Sequence, residues 1–160
     1  MSVRATDLLA LQKDNTWEEE EWIVPLSTAL AGLTAEQAVW APPGGGNTIW
    51  QTVNHINYYN ERMLSRLTGV EPGARVETNE ETFAVGTADE ASWTDVMAET
   101  KRIQLELREV IASLSEDELE APYANTNESV GRELSRWMLH DAYHAGQIVL
   151  IRRQQGSWRS

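Results

Sequence analysis

The residues of this chain best suited to chemistry are its histidines, His55, His140 and His144, the whole histidine supply of 160 residues. His140 and His144 stand four apart, a spacing that sets two side chains beside each other on one helix face. Neutral imidazoles held that way grip a divalent ion of the zinc or nickel kind. With His55 added there are three nitrogens. A fourth position left to water is then the arrangement of a catalytic metal rather than a closed structural one. Such an ion lowers the pKa of a bound water or thiol and supplies a nucleophile near neutral pH. The chain has no cysteine, which excludes a Cys-ligated zinc, a thiol nucleophile and a disulfide framework. The pair also differs from the HExxH of metalloproteases, because Asp141 follows His140 and points about 100° away around a helix.

Helical periodicity dominates the segments that must position these residues. A first helical stretch is predicted over Asp7 to Leu33, with Leu8, Leu11, Trp22, Leu26, Leu30 and Leu33 as its apolar positions. Pro25 lies inside it and is expected to kink or split it. Thr34-Ala35-Glu36-Gln37 reads as a capping box for a short helical turn. The break Pro42-Pro43-Gly44-Gly45-Gly46 is followed by Asn47, a natural N-cap. The second helix, Thr48 to Leu67, packs through Trp50, Val53, Ile56, Asn60, Leu64 and Leu67. Residues 68–90 are polar and too many for a tight helix–helix turn. A third helix, Ala91 to Leu114, carries the stripe Trp93, Val96, Met97, Ile103, Leu107, Val110, Ile111 and Leu114. A short acidic segment from Ser115 leads to a last helix, Val130 to Gln155, with Gly156 as its C′ stop. Helices of this length are roughly 30–40 Å long, the scale of a four-helix bundle. The chain thus reads as one all-α domain over residues 1–160, a four-helix bundle with a long crossover connection.

The charge balance narrows the partners. Lys and Arg number 13 against 25 Asp and Glu, a net charge of −12, so the surface repels phosphate backbones and nucleic acid is not an expected partner. No run approaches the ~18 apolar residues of a membrane span, and the N-terminus lacks the apolar core of a secretory signal. A cytoplasmic protein is the expectation.

On a helical wheel the face of His140 and His144 also carries Glu133, Arg136, Trp137, Gln147 and Ile151. The rest of that helix is apolar nearly all round, through Leu134, Met138, Leu139, Ala142, Val149 and Leu150, so it is expected to lie centrally. Polar residues on a central helix need hydrogen bonds, a solvated cleft or a ligand. His55 falls off the main stripe of its helix, beside Gln51, Thr52, Tyr58, Tyr59 and Arg62. The wheel leaves open whether it is a surface histidine or part of a second covered face. Gln147, one turn beyond His144, could orient a histidine or a water, or make an interhelix hydrogen bond. The run Glu18-Glu19-Glu20-Glu21 reads as a solvated face, with Glu18 a candidate to reach the pocket as a base or further ligand.

Two segments carry a family likeness. Trp50-Gln51-Thr52-Val53-Asn54-His55-Ile56 follows a proline and glycine break, and His140-Asp141-Ala142-Tyr143-His144-Ala145-Gly146-Gln147-Ile148 has the form HxxxHxGQI, with Arg152-Arg153 after it. With the Trp40-Ala41-Pro42 turn, they resemble the DinB-like family, which includes YfiT-like metal-dependent hydrolases and thiol-dependent S-transferases. The resemblance implies a four-helix bundle with the crossover between helices 2 and 3, commonly a homodimer. It also implies one nickel or zinc ion held by His55, His140 and His144. The activity it implies joins a low-molecular-weight thiol to an electrophilic small molecule, or hydrolyses one, with a non-catalytic metal- or ligand-binding protein or a structural dimeric bundle as the alternative. In that setting Arg62 and Arg136 are candidates to anchor a carboxylate of the thiol cosubstrate. Tyr59, with Tyr58 and Trp137, is expected near the pocket.

Overall fold

The chain passes through α1 (Ala5–Trp17), α2 (Leu26–Leu30), α3 (Ala35–Ala38), α4 (Ile49–Thr68), α5 (Glu90–Ser113), α6 (Glu116–Glu120) and α7 (Val130–Gln154). These elements come from a computed structural model that describes residues 3–159. Among the described residues the regular elements are all helical, and α1, α4, α5 and α7 form a four-helix bundle. The crossover between α4 and α5 contains one 3-10 turn, Glu80–Phe83.

Local chemistry sets the helix ends. Thr34 and Gln37 form the capping box expected from sequence. At α4 the cap is Thr48 and not Asn47, because Thr48 has Gln51 three residues on to complete a reciprocal box. Gly69 ends α4 at φ +75°, a left-handed turn that glycine adopts without a Cβ penalty. Gly156 follows α7 in the same way at φ +76°.

The first stretch departs most from expectation. Pro25 splits it, as its missing N–H requires, but the helix already stops at Trp17. Four consecutive glutamates follow, and like charges on one helical turn oppose its continuation. Residues 18–25 therefore run irregularly into α2. The stripe of α1 is Leu9, Lys13, Thr16 and Trp17, which turns Leu8 and Leu11 outward. Trp22, assigned to the packed stripe, lies in the irregular segment and is 99% exposed. Buried Arg152 donates to the carbonyls of Ala29 and Ala31 at 2.7 and 2.9 Å, supplying the carbonyls at the end of α2 with a partner.

Apolar packing gathers at two ends. Trp17, Leu30, Trp50, Val53, Trp93 and Ile148 belong to one cluster. Leu9, Met63, Leu107, Leu134 and Met138 belong to the other. Between them along α1, α4 and α7 fall the buried polar residues Lys13, Asn60 and Asp141. α7 is less central than its composition suggests: Leu139, Tyr143 and Leu150 are exposed on its outer face.

Candidate metal centre

α4 and α7 lie antiparallel, since His55 meets His140 while Asn60, further along α4, meets the earlier Trp137. One face of each helix carries the histidines into the seam. His55 and His144 are buried, and the His140 side chain keeps 30% of its surface open. The three rings converge through one kind of atom. His140 Nε2 lies 3.0 Å from His55 Nε2 and 3.1 Å from His144 Nε2.

The partners of the outer ring nitrogens decide what those Nε2 atoms carry. Thr82 donates its single hydroxyl proton to the carbonyl of Asn79 at 2.6 Å. Toward His55 it can therefore only accept, so His55 Nδ1–H donates to Thr82 Oγ1 at 2.7 Å. His144 Nδ1–H donates to Gln147 Oε1, also at 2.7 Å, and the Gln147 amide nitrogen donates to Tyr143 Oη at 3.2 Å. Both hydrogen bonds hold the proton on Nδ1 and leave Nε2 as a bare lone pair. This is how a metal-binding histidine has its tautomer set by a neighbour.

Burial reinforces the neutral form. His55 is pushed down to about 4, chiefly by loss of water and then by His140 and His144. Burial also lowers His140, with His144 adding to the effect and Asp141 opposing it. It lowers His144 against the opposing pull of Gln147 and Asp141.

The donor set fits a divalent ion. His55, His140 and His144 are a group whose ligand atoms all lie within 4.8 Å of one another. An ion about 2.1 Å from each nitrogen places neighbouring ligands about 3.0–3.4 Å apart, from right-angled to tetrahedral. The two separations from His140, 3.0 and 3.1 Å, fall in that range. His140 Nδ1 is buried without a hydrogen-bond partner, so no neighbour fixes the tautomer of this ring, and an ion on Nε2 would move its proton to Nδ1.

The surroundings of the rings are aromatic. Phe83 stacks on His55 at 4.0 Å between centroids and 11° between planes. Tyr59 meets His55 and His140 edge-on at 5.0 and 5.8 Å. Thr82 and Phe83 both come from the crossover and were missed in the sequence. The available signal was Phe83 itself, the chain's one phenylalanine, inside an otherwise polar stretch.

The other candidates divide. Gln147 is at the site, holding His144. Tyr59 is at its edge, donating to Asn79 Oδ1 at 2.8 Å. Arg62 lines a cavity of about 800 Å³ beside the site, which shares Tyr59 and Thr82 as wall. Arg136 is outside that lining and pairs with Glu133 at 2.5 Å. Glu18 is exposed at the end of α1, where its amide donates to the carbonyl of Asp14.

Asp141, given no role of its own in the sequence, is buried in a network. It accepts from Asn60 Nδ2 at 3.0 and 3.1 Å and from Gln104 Nε2 at 2.8 Å. Gln104 in turn accepts from Lys13 Nζ, and Asn60 from Trp137 Nε1 at 2.9 Å. The spacing Leu9, Lys13, Trp17 was the signal that Lys13 shares a buried face.

Comparison with known proteins identifies the family and the fold. The model of the DinB superfamily matches residues 25–148, a span that contains all three histidines. No curated protein sequence matches the chain. Among solved structures, YfiT from Bacillus subtilis superposes with a TM-score of 0.68 at 17% identity, covering 99% of this chain and 91% of that one. That protein is described as a probable metal-dependent hydrolase with an unusual four-helix bundle topology.

Proposed function

This chain belongs to the DinB superfamily, and from that premise we propose that it is a metal-dependent enzyme. Its reaction transfers a low-molecular-weight thiol to an electrophilic small molecule. One observation carries the metal: two Nε2 lone pairs, fixed by Thr82 and Gln147, converge on the Nε2 of His140. His55, His140 and His144 hold a single nickel or zinc ion. When bound, that ion supplies the Lewis acidity that makes a thiol nucleophilic at neutral pH.

The chain's own residues do the rest. Thr82 and Gln147 keep the imidazoles in the donor tautomer. Phe83, Tyr59 and Tyr143 shield the rings from water, while the open side of His140 leaves an approach for substrate. The cytoplasm, where such thiols are kept reduced, is the compartment this chemistry suits. No described helix is long and apolar enough to cross a membrane.

A hydrolase is the second reading, favoured by the description of YfiT, with water in place of the thiol. Metal content by mass spectrometry tests the site, wild type beside His144→Ala. Near-stoichiometric nickel or zinc, absent from the variant, is expected. If neither protein retains metal after incubation with both ions, the enzyme reading fails. Consumption of an electrophile such as 1-chloro-2,4-dinitrobenzene only when thiol is added separates transferase from hydrolase.

Two copies of the chain pair, on our reading, through the outer face of α7. Leu139, Tyr143 and Leu150 are 62%, 65% and 57% exposed. About a two-fold axis midway between His144 and Ala145, antiparallel copies set Leu139 against Leu150 and Tyr143 against Gly146. Space is open beside Gly146 for that ring, and such mutual pairing is what a two-fold interface requires. The chain exposes 9267 Å² for 18.0 kDa, where a monomer of that mass exposes about 8,000 Å². The excess exceeds the ~800 Å² per partner of a standard interface. Light scattering at tens of micromolar is expected to give a dimer for wild type and a monomer for Leu150→Glu. A monomeric wild type rules the pairing out.

A further inference from the structure

The cavity beside the histidines has a composition unlike the rest of the chain. Its lining includes three arginines, Arg62, Arg66 and Arg75, and three carboxylates, Glu71, Glu77 and Glu133. Acids outnumber bases about two to one in the whole sequence. Glu133 is already paired with Arg136 outside the lining and Arg62 is held by backbone carbonyls, so Arg66 and Arg75 share the cavity with Glu71 and Glu77. At about 800 Å³ the space suits a small molecule and not a macromolecular surface.

Arg62 builds this cavity. Its guanidinium lies 3.4 Å from the Tyr58 ring centroid and donates to the carbonyls of Gly73 and Ala74 at 3.1 and 2.8 Å. Val76 N–H donates to Tyr58 Oη at 3.2 Å. The crossover is thereby fastened to α4, and Arg75 is presented from backbone pinned on both sides. Arg66 sits one turn beyond Arg62 on α4, its guanidinium 5.3 Å from the Tyr123 ring. Among the described residues neither Arg66 nor Arg75 makes an ion pair. Arg62 is committed to the scaffold, and the other two are not.

The cavity abuts the metal centre through two shared walls, and no histidine lines it. Tyr59 is both cavity wall and edge-on neighbour of His140, and Thr82 is both wall and partner of His55. From Tyr59 to Arg66 is seven residues of helix, about 10 Å along the axis.

We propose that this cavity binds an elongated anionic small molecule, with Arg66 and Arg75 taking its carboxylate or phosphate oxygens about 10 Å along α4 from Tyr59, the wall it shares with the histidines. The identity of the near end as a thiol rests on the transferase reading. The anionic far end does not. Arg66 and Arg75 thus select the cosubstrate, where Arg62 and Arg136 were the candidates from sequence.

Calorimetric titration of the full-length, metal-free protein tests this, with glutathione as the probe, a thiol carrying two carboxylates. Wild type is compared with the double variant Arg66→Ala/Arg75→Ala; both side chains are exposed, so the fold tolerates their loss. Binding is expected to weaken at least about tenfold in the variant, while glutathione diethyl ester binds both proteins equally weakly. Displacement by tricarballylate assigns the site to carboxylates, and displacement by inorganic phosphate assigns it to phosphate esters. Equal affinity in the two proteins, or no heat with glutathione, tricarballylate or phosphate at millimolar concentration, overturns the proposal. The transferase reading is scored separately, by the thiolate charge-transfer band on nickel-loaded protein. Arginine-dependent binding without that band keeps this site and sinks the transferase reading, and the reverse result sinks this site alone.

Discussion

Two buried polar clusters lie within one helical turn of each other, and only one is complete. Lys13, Gln104, Asp141, Asn60 and Trp137 link α1, α5, α7 and α4, and the Asp141 carboxylate receives three hydrogen bonds. The histidines next to it bring nitrogen against nitrogen. Two of the three Nε2 atoms are bare, and His140 Nδ1 has no partner. Buried polar groups stabilise a fold when they satisfy one another and cost free energy when they do not. The first cluster therefore belongs to the architecture. The second is an arrangement that stability alone does not favour, and an ion resolves it.

The widest separation is expected when each cluster loses its central member in metal-free protein. Asp141→Ala leaves the Lys13 ammonium buried beside Gln104 without its counter-charge. Loss of one partner from a buried charged network costs about 3–5 kcal/mol, read as a lower urea midpoint by circular dichroism. His140→Ala removes a part-exposed ring whose Nδ1 has no partner and whose Nε2 meets only neighbouring imidazoles, so its cost stays at about 1 kcal/mol. Equal losses for the two variants would erase the distinction. Adding nickel or zinc at about 100 times its Kd is expected to stabilise wild type by about 2.7 kcal/mol and leave His140→Ala unmoved.

The two clusters were not equally legible in sequence. The histidine pair was visible because its spacing matches the helix period, and the wheel placed Gln147 beside it. The wheel put His55 off its main stripe and could not say what covered it. The cover, Thr82 and Phe83, comes from 27 and 28 residues away in a polar crossover, and no local pattern predicts where such a segment folds back. The complete cluster was hidden for another reason. Lys13 and Gln104 occupy core positions, but charge and amide groups read as solvent-facing unless a partner on another helix is known. The end of α1 was misplaced because Pro25 is a stronger mark on the page than the glutamate run ahead of it.

A smaller effect sharpens the contrast by acting on the tautomers alone. Thr82→Val removes the acceptor for His55 Nδ1–H, and Gln147→Leu removes the one for His144. Each is expected to weaken metal affinity 10- to 100-fold, measured by competition with a chromophoric chelator. Neither touches Asp141 or its donors, so the urea midpoint of the metal-free protein is expected to change far less than in Asp141→Ala. If metal affinity is unchanged in both variants, the hydrogen bonds do not set the donor atoms and the reading of the site must change.

A further expected effect is a slope with pH in the metal-free protein. His55 has a folded value of about 4 against an ordinary value of 6.5, which stands for the unfolded chain. Between those limits the unfolded chain holds a proton that the folded chain refuses, so stability rises with pH across the window. It is complete above about 6.5 and is lost as the pH falls toward 4. His140 and His144 are lowered too and steepen the same slope. The complete cluster contributes through different groups, so the slope is expected to shrink in His55→Ala and persist in Asp141→Asn. Metal follows the same logic, because protons and the ion compete for one lone pair. Three exposed imidazoles would release it as the pH drops through 6.5, whereas this site is expected to keep its metal at pH 5.5. Release already at pH 6.5 would mean that water reaches all three rings, and the shielding assigned to Phe83 and Tyr59 would not hold.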